Sequence, residues 1–384
     1  ARLDSSEVLS LAYTPGVATV CLEIKTKPET VYDYTMKSNF VAIVTDCTRV
    51  LGLGDIGAEA GLPVMEGKAA LFNEFGGVDA IPLALATKDK QKIIDTAMLV
   101  EPNFGAINLE DIESPKVFEI YDELKSRMKI PVFHDDRHGT GVVVVAGLIN
   151  ALKVVGKGKE AQVVLVGAGA AAKGAMELLL AYGMKNITVL DSRGVLDSGR
   201  TGIEEYKQWF IQHSKPRCAG NLADAMNGAD VVIATSAVPG LITAEMVKSM
   251  AKGSIIFALS NPRPEIEYEV AKAAGATVVA TGRSDFPNQV NNVLAFPGIF
   301  RGTMDVRASE INTAMMIAAA ETIAACVEKP TAEMIMPLAY SRDIAGKVAL
   351  ATGMKAIETG VARDPVPEAE LMKRINERIR RAHA

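Results

Sequence analysis

Two pairs of adjacent carboxylates carry the strongest chemical signal in this sequence: Glu110 and Asp111 in GAINLEDI, and Asp135 and Asp136 in VFHDDRHGT. Each pair directly follows an apolar, strand-like run, and strand ends are where α/β proteins gather functional groups. Helix capping accounts for either pair alone, since Asp is a good N-cap and acids suit a helix's first turn. Taken together, carboxylates converging on one sheet edge would repel one another unless a hard divalent cation, Mg²⁺ or Mn²⁺, held them through oxygen ligands.

A second constellation lies in VVLVGAGAAAKGAMELLLAYGMKNITVLD, where Gly167, Gly169 and Ala172 stand at G-x-G-x-x-A spacing between a strand and a helix, and Asp191 closes the next strand. Gly167 permits the tight turn, Gly169 lets the backbone approach a pyrophosphate, and Ala172 keeps helix and strand close. The helix N-terminus stabilises phosphate charge. Asp191 can accept ribose hydroxyls, which favours NAD over NADP, although Arg193 two positions later could bond a 2′-phosphate. A plain glycine-rich turn is the bland alternative.

The remaining candidates stand on weaker signals. Lys68 in VMEGKAALFNEF opens a mostly apolar helix and could act as a desolvated base, or snorkel past apolar neighbours. Tyr13 in SLAYTPGV is an acid candidate or a packed loop aromatic. Arg49 in CTRVLGLGDIG could clamp a carboxylate or sit exposed. Asn261 in LSNP and the pair Asn291 and Asn292 are turn formers by default and substrate contacts only by position.

These groups need a scaffold of alternating elements. FVAIVTD, VDAIPLAL and FGAINLED read as strands between helical runs such as KAALFNEF and KQKIIDTAMLV, and IPVFHDD closes this first unit. GTGVVVVAGLINALKVV reads as a helix bridging two domains. Further strands, AQVVLVGAG, NITVLD, ADVVIATSA, SIIFALSNP and TVVATG, extend a parallel sheet to about Gly282, and the chain turns helical near Ser309. The expectation is an α/β protein: an N-terminal α/β substrate and metal domain over 1–140, then a Rossmann-like doubly wound parallel-sheet domain over 141–384 whose C-terminal helices run from about 303.

Composition narrows the functional classes. With 384 residues, 49% hydrophobic and 23% charged, the chain reads as an ordinary globular enzyme. A net charge of -5 gives no basic footprint for nucleic acid. Cys21, Cys47, Cys218 and Cys326 form no C-x-x-C pair, which suits a reducing compartment. The apolar stretches Val142 to Leu152 and Ile311 to Val327 are too short or interrupted for membrane spans, and nothing resembles a signal peptide. A cytoplasmic protein with no membrane partner is expected, with any segment preceding Ala1 left open.

In order along the chain, SLAYTPGV, TDCTRVLGLGDIG, EGKAALF, NLEDI, FHDDRHGTG, VGAGAAA, LSNPRPE and NNVLAFPGIFRG resemble the motif series of the malic enzymes, small bacterial and archaeal type, over nearly the whole length. No fused acetyltransferase-like domain is expected from the compact length. The resemblance implies oxidative decarboxylation of malate to pyruvate with a nicotinamide dinucleotide, NAD or NADP, and Mg²⁺ or Mn²⁺, in a homodimer or higher homo-oligomer. It implies Tyr13 as catalytic acid, Lys68 as base, Asp135 as an orienting carboxylate, and Glu110, Asp111 and Asp136 as metal ligands. Arg49, Asn261 and Asn292 would hold substrate carboxylates, with Asn261 and Asn291 on the cofactor side. Cys47 stands where the family pattern has glycine, and Arg137 where it has an uncharged residue. As base, Lys68 must be neutral, which desolvation and nearby positive charge favour. The rival readings are a non-decarboxylating 2-hydroxyacid dehydrogenase, a metal-dependent oxaloacetate decarboxylase and a non-catalytic nucleotide-sensing module.

Overall fold

The β-branched runs form strands that pair in parallel, because the helix after each one carries the chain back to the starting edge. Residues 4–383 are described, in a computed structural model. Two short helices, α1 (Ser6–Ala12) and α2 (Val17–Thr26), come first and bury no residue. After α3 (Val31–Tyr34) the chain forms β1 (Phe40–Thr45), α4 (Ala58–Gly76), β2 (Asp79–Ala84), α5 (Lys90–Val100), β3 (Ala106–Leu109), α6 (Lys116–Arg127) and β4 (Val132–His134). These strands make one parallel sheet in the order β2-β1-β3-β4. Val44 pairs with Leu109 and Leu109 with His134, so the ends of β1, β3 and β4 lie level. That register puts both acidic pairs on one edge.

Beyond His134 a π-helical turn, Asp135–Gly139, runs directly into α7 (Thr140–Val155), whose residues Gly141 to Leu152 are all buried. The boundary expected at residue 140 therefore falls inside one continuous helical run rather than in a linker. This run and Ser6–Thr26 are both long and apolar enough to cross a membrane by composition, but Asp135–Val155 is mostly buried within the protein.

The second sheet follows β5 (Val163–Val166), α8 (Ala170–Tyr182), β6 (Ile187–Asp191), β7 (Gly194–Val195), α9 (Glu205–His213), α10 (Leu222–Met226), β8 (Val231–Ala234), α11 (Ala244–Ser249), β9 (Ile255–Ala258), α12 (Tyr268–Ala273) and β10 (Val278–Thr281). Its order is β10-β9-β8-β5-β6-β7, parallel except for the short β7. The chain leaves β5 in one direction and returns to its other side at β8, which creates a switch point between them.

Four helices close the fold: α13 (Phe296–Asp305), α14 (Thr313–Ala325), α15 (Arg342–Glu358) and α16 (Glu368–Ala382). The helical part begins earlier than Ser309, since FPGIFRG is itself helical; Pro297 lies in the first turn, where a missing N–H is harmless. α13 and α15 pack on each other, and α13, α15 and α16 all pack on α4 of the first unit. One apolar cluster accordingly runs from Val41 and Phe72 through Val163 and Phe257 to Phe296 and Leu371.

Candidate active site

Lys68 projects from α4 to the edge where the carboxylates converge. Its ammonium donates to Glu110 Oε1 at 2.8 Å and to Asp135 Oδ2, with side chains only 11%, 10% and 1% exposed respectively. The Phe296 ring lies 4.3 Å below the ammonium. Burial alone would lower the Lys68 pKa, but Asp135 and Glu110 outweigh it and hold the amine above the usual lysine range. Desolvation alone does not make Lys68 neutral here: Asp135 and Glu110 favour its ammonium form, and the neutrality expected of it also called on the positive charge of a cation and a nicotinamide.

Glu110, Asp111 and Asp136 each offer an oxygen within 4.8 Å of the others. Asp136 Oδ2 accepts from the Asp111 backbone N–H at 2.9 Å, and Asp111 takes a left-handed φ of 51°. Burial, reinforced by neighbouring carboxylates, raises the pKa values of Glu110 and Asp111, although Lys68 opposes the shift. Asp136 goes the other way: burial opposes its charge, but His134, 3.6 Å away, and Lys68 keep its pKa low. An all-oxygen, crowded, partly buried donor set of this kind fits a hard divalent cation.

Asn292, from the segment after β10, reaches across to this edge. Its amide donates to Asp135 Oδ2 at 3.1 Å and to the Asp135 carbonyl at 3.2 Å. Asn291 instead accepts from the Val293 N–H at 3.0 Å and caps a short 3₁₀ turn. Arg49 and Asn261 are exposed; the Arg49 backbone N–H is fixed to the Asp111 carbonyl at 3.0 Å. The loop after Arg49 presses on the Asn261–Pro262 loop, with an ideal Cβ on Gly52 2.8 Å from the Asn261 carbonyl. Tyr13 is not drawn into the cluster. It is 68% exposed, beside Leu9 and Leu11 at 50% and 71%.

At the switch point of the second sheet, Gly167 takes φ 114° beside Thr235, and a Cβ there would lie 3.0 Å from Thr235 Oγ1. Gly169 is the N-cap of α8, has open space where a Cβ would be, and supplies no side-chain cap, so the first α8 amides face outward for an anion. Ala172 is fully buried. Asp191 does not present a free carboxylate. Its oxygens accept from the Arg193 N–H at 2.9 Å, from Arg200 at 2.8 and 3.2 Å, and from Lys207 at 3.1 Å. Burial works against its charge, yet Arg200, the Arg193 N–H and Lys207 hold its pKa at about 2. Asp191 is thus paired with two cations, Arg200 and Lys207, which the sequence reading did not include.

Family models for the malic enzyme N-terminal domain and the malic enzyme NAD binding domain match residues 2–99 and 138–357. The chain is 53% identical over 382 residues to the bifunctional malic/malolactic enzyme of Bacillus subtilis, covering 97% of this chain and 93% of that one. The chain belongs to the malic enzyme family. It is also 44% identical to an NADP-dependent malic enzyme of Rhizobium meliloti, covering 97% of this chain but 53% of that longer one. The malic enzyme structure from Pyrococcus horikoshii superposes with a TM-score of 0.95 at 46% identity, covering 99% of this chain and 90% of that one.

Both departures from the malic enzyme pattern have a structural reading. Cys47 is buried at φ 55°, the left-handed region that favours glycine. Arg137 is buried and bonds α8 through Glu177. Three supporting residues escaped the sequence reading. Asn108 donates to Glu110 Oε2 at 2.8 Å, His134 flanks Asp136, and Phe296 lies under Lys68. Asn108 had a usable signal: it is the polar residue of an apolar strand, two positions before Glu110 and so on the same face.

Proposed function

We propose that this malic enzyme family member oxidises malate and decarboxylates it to pyruvate at the edge formed by β1, β3 and β4, with Lys68 as base. The observation that carries the reading is Asp135, which bonds Lys68 from the first unit and Asn292 from the second, so the carboxylate edge and the dinucleotide half meet at one residue. Glu110, Asp111 and Asp136 would hold Mg²⁺ or Mn²⁺, and Gly167, Gly169 and Ala172 the dinucleotide. When bound, the nicotinamide supplies the hydride acceptor and the divalent ion a Lewis acid.

The chain's own residues then handle the protons. A cation held by Glu110 would leave Lys68 with Asp135 as its counter-ion and would draw its pKa down toward the range of a base. Lys68 takes the C2 hydroxyl proton of malate, while Arg49, Asn261 and Asn292 orient the substrate carboxylates. Tyr13 protonates carbon 3 of the three-carbon enol. Because α1 and α2 bury nothing and expose Leu9, Leu11, Tyr13 and Leu22, we read the protein as a homodimer in which Tyr13 serves the site of the second copy. Four free cysteines support a reducing compartment such as the cytoplasm.

NAD and NADP both suit the neutralised Asp191, with Arg193, Arg200 and Lys207 available to a 2′-phosphate. The division into 1–140 and 141–384 remains our reading of the two sheets, with α13 to α16 shared between them. A coupled assay tests the function: malate-dependent nicotinamide reduction must release carbon dioxide in equal amount. Reduction without release would favour a plain dehydrogenase, and release without reduction an oxaloacetate decarboxylase.

A further inference from the structure

Arg137 follows the two acidic residues of the π-helical turn, yet its guanidinium serves none of the proton steps above. Its Nε and one terminal nitrogen donate to Glu177 at 2.9 and 2.6 Å, a two-point bond from the turn to α8. Arg137 is 7% exposed, and its guanidinium lies 5.0 Å from the Tyr121 ring. Close to this pair, α8 touches the turn directly: an ideal Cβ on Gly174 would stand 1.7 Å from the Arg137 carbonyl oxygen, so only glycine permits the approach. On the other side the packing is open. A cavity of about 400 Å³ flanks the pair, lined in part by Tyr121, His138, Trp209 and His213. The ion pair is therefore the tie that spans the loosely packed side of this contact.

α8 is one rigid element with two ends of different function. Its N-terminus carries the open amides at Gly169, and Glu177, two turns further on, holds the residue next to Asp136. We infer that the Arg137–Glu177 pair is a positioning link, which couples dinucleotide binding at the α8 N-terminus to the placement of Asp135 and Asp136 at the cation site. A helix drawn toward a pyrophosphate moves as a body, and a bidentate bond transmits that movement where a single flexible contact would absorb it. Coupling of this kind is reciprocal: the cation must tighten dinucleotide binding by the same factor as the dinucleotide tightens cation binding. The inference rests on the assignment of both sites made above.

The test is a binding cycle on the full-length protein, with Mn²⁺ followed by electron paramagnetic resonance and NADH by fluorescence, each alone and in the presence of the other. Wild type should show a coupling factor of about fivefold or more, at the low end of ordinary allosteric couplings. Glu177→Gln keeps the side-chain shape and should bind each ligand alone within about threefold of wild type, with the factor collapsed to nearly one. Arg137→Lys, which keeps the charge but not the two-point geometry, should retain part of it. A full wild-type factor in Glu177→Gln overturns the inference. So does a wild type that binds both ligands independently, or a folded Glu177→Gln that loses both single-ligand affinities, since that marks a merely structural pair. Failure of wild type to bind NADH or Mn²⁺ at all would instead overturn the assignment of the sites.

Discussion

Replacing Lys68 with Met keeps the aliphatic stem against Phe296 and removes only the charge. Two carboxylates, Asp135 at 1% and Glu110 at 10% side-chain exposure, then lose their shared cation inside the protein. Breaking a buried pair by deleting one partner costs about 3–5 kcal/mol, because the survivor is left charged and unsolvated. Glu110 can escape part of this cost by taking up a proton, so the penalty depends on pH. In the variant the folded-state pKa of Glu110, already raised by burial, rises further above the ordinary carboxylate value of ~4. Between that value and the raised one the folded state binds more protons than the unfolded state, so stability falls as pH rises. Urea unfolding of the chelated protein should therefore show a deficit of about 3–5 kcal/mol at pH 8 that shrinks toward pH 5. Malate turnover with saturating Mn²⁺ should drop by about 10²–10⁴, the usual contribution of a positioned base. A deficit below about 1 kcal/mol that does not change with pH would refute the ion-triad reasoning.

Four further outcomes are expected. Asp136→Ala should abolish Mn²⁺-dependent turnover while costing no more than the ~2 kcal/mol of a lost helix cap; near-wild-type activity with a lowered melting temperature would leave capping as its only role. Gly174→Ala gains about 1 kcal/mol of helix propensity but must displace the Arg137 backbone, so a net loss of about 1–3 kcal/mol is expected by denaturant unfolding; unchanged or greater stability counts against the close contact. Arg200→Gln should lower catalytic efficiency with NADP relative to NAD by about tenfold, as one charge-assisted bond is lost and Asp191 is freed to repel a phosphate; an unchanged ratio removes Arg200 from cofactor selection. Mixing inactive Tyr13→Phe with inactive Lys68→Met subunits should restore about one quarter of wild-type activity, because half the dimers carry one intact site out of two; no recovery after confirmed subunit exchange contradicts donation of Tyr13 between copies.

The fold was legible where side-chain pattern decides structure. The continuous apolar runs of β1 and β5 declared buried parallel strands, and Gly167 with its neighbours declared the turn between β5 and α8. α13 was hidden because Pro297 and Gly298 read as breakers unless one knows that proline falls in the first turn. The two-residue β7 is too short to carry a period. In the site, residue types were legible and their pairings were not. Lys68 meets partners 42 and 67 positions away, a juxtaposition fixed by strand order rather than by local sequence. Nor could the sequence show that Asp135 and Glu110 hold the Lys68 amine above the usual lysine range, against its burial. The partners of Asp191 were hidden for the same reason, since Arg200 and Lys207 arrive from the loop and helix beyond β7.

The return of α16 to α4 sets a timetable for biosynthesis. The helix bearing Lys68 leaves the ribosome early, but α16, which packs on it with Arg378 and Ile379 against Gly77 at its end, is made about 300 positions later. At ~5–20 residues per second the first unit waits roughly 15–60 s with its apolar face uncovered. The second sheet, continuous in sequence from β5 to β10, can assemble during that interval. The helix that carries Lys68 is thus completed by the last helix to be made, although it is itself among the first translated. Loss of only the final helix, through a premature stop or a proteolytic nick near residue 367, would strip cover from the helix that holds Lys68 while leaving every residue of the dinucleotide sheet in place.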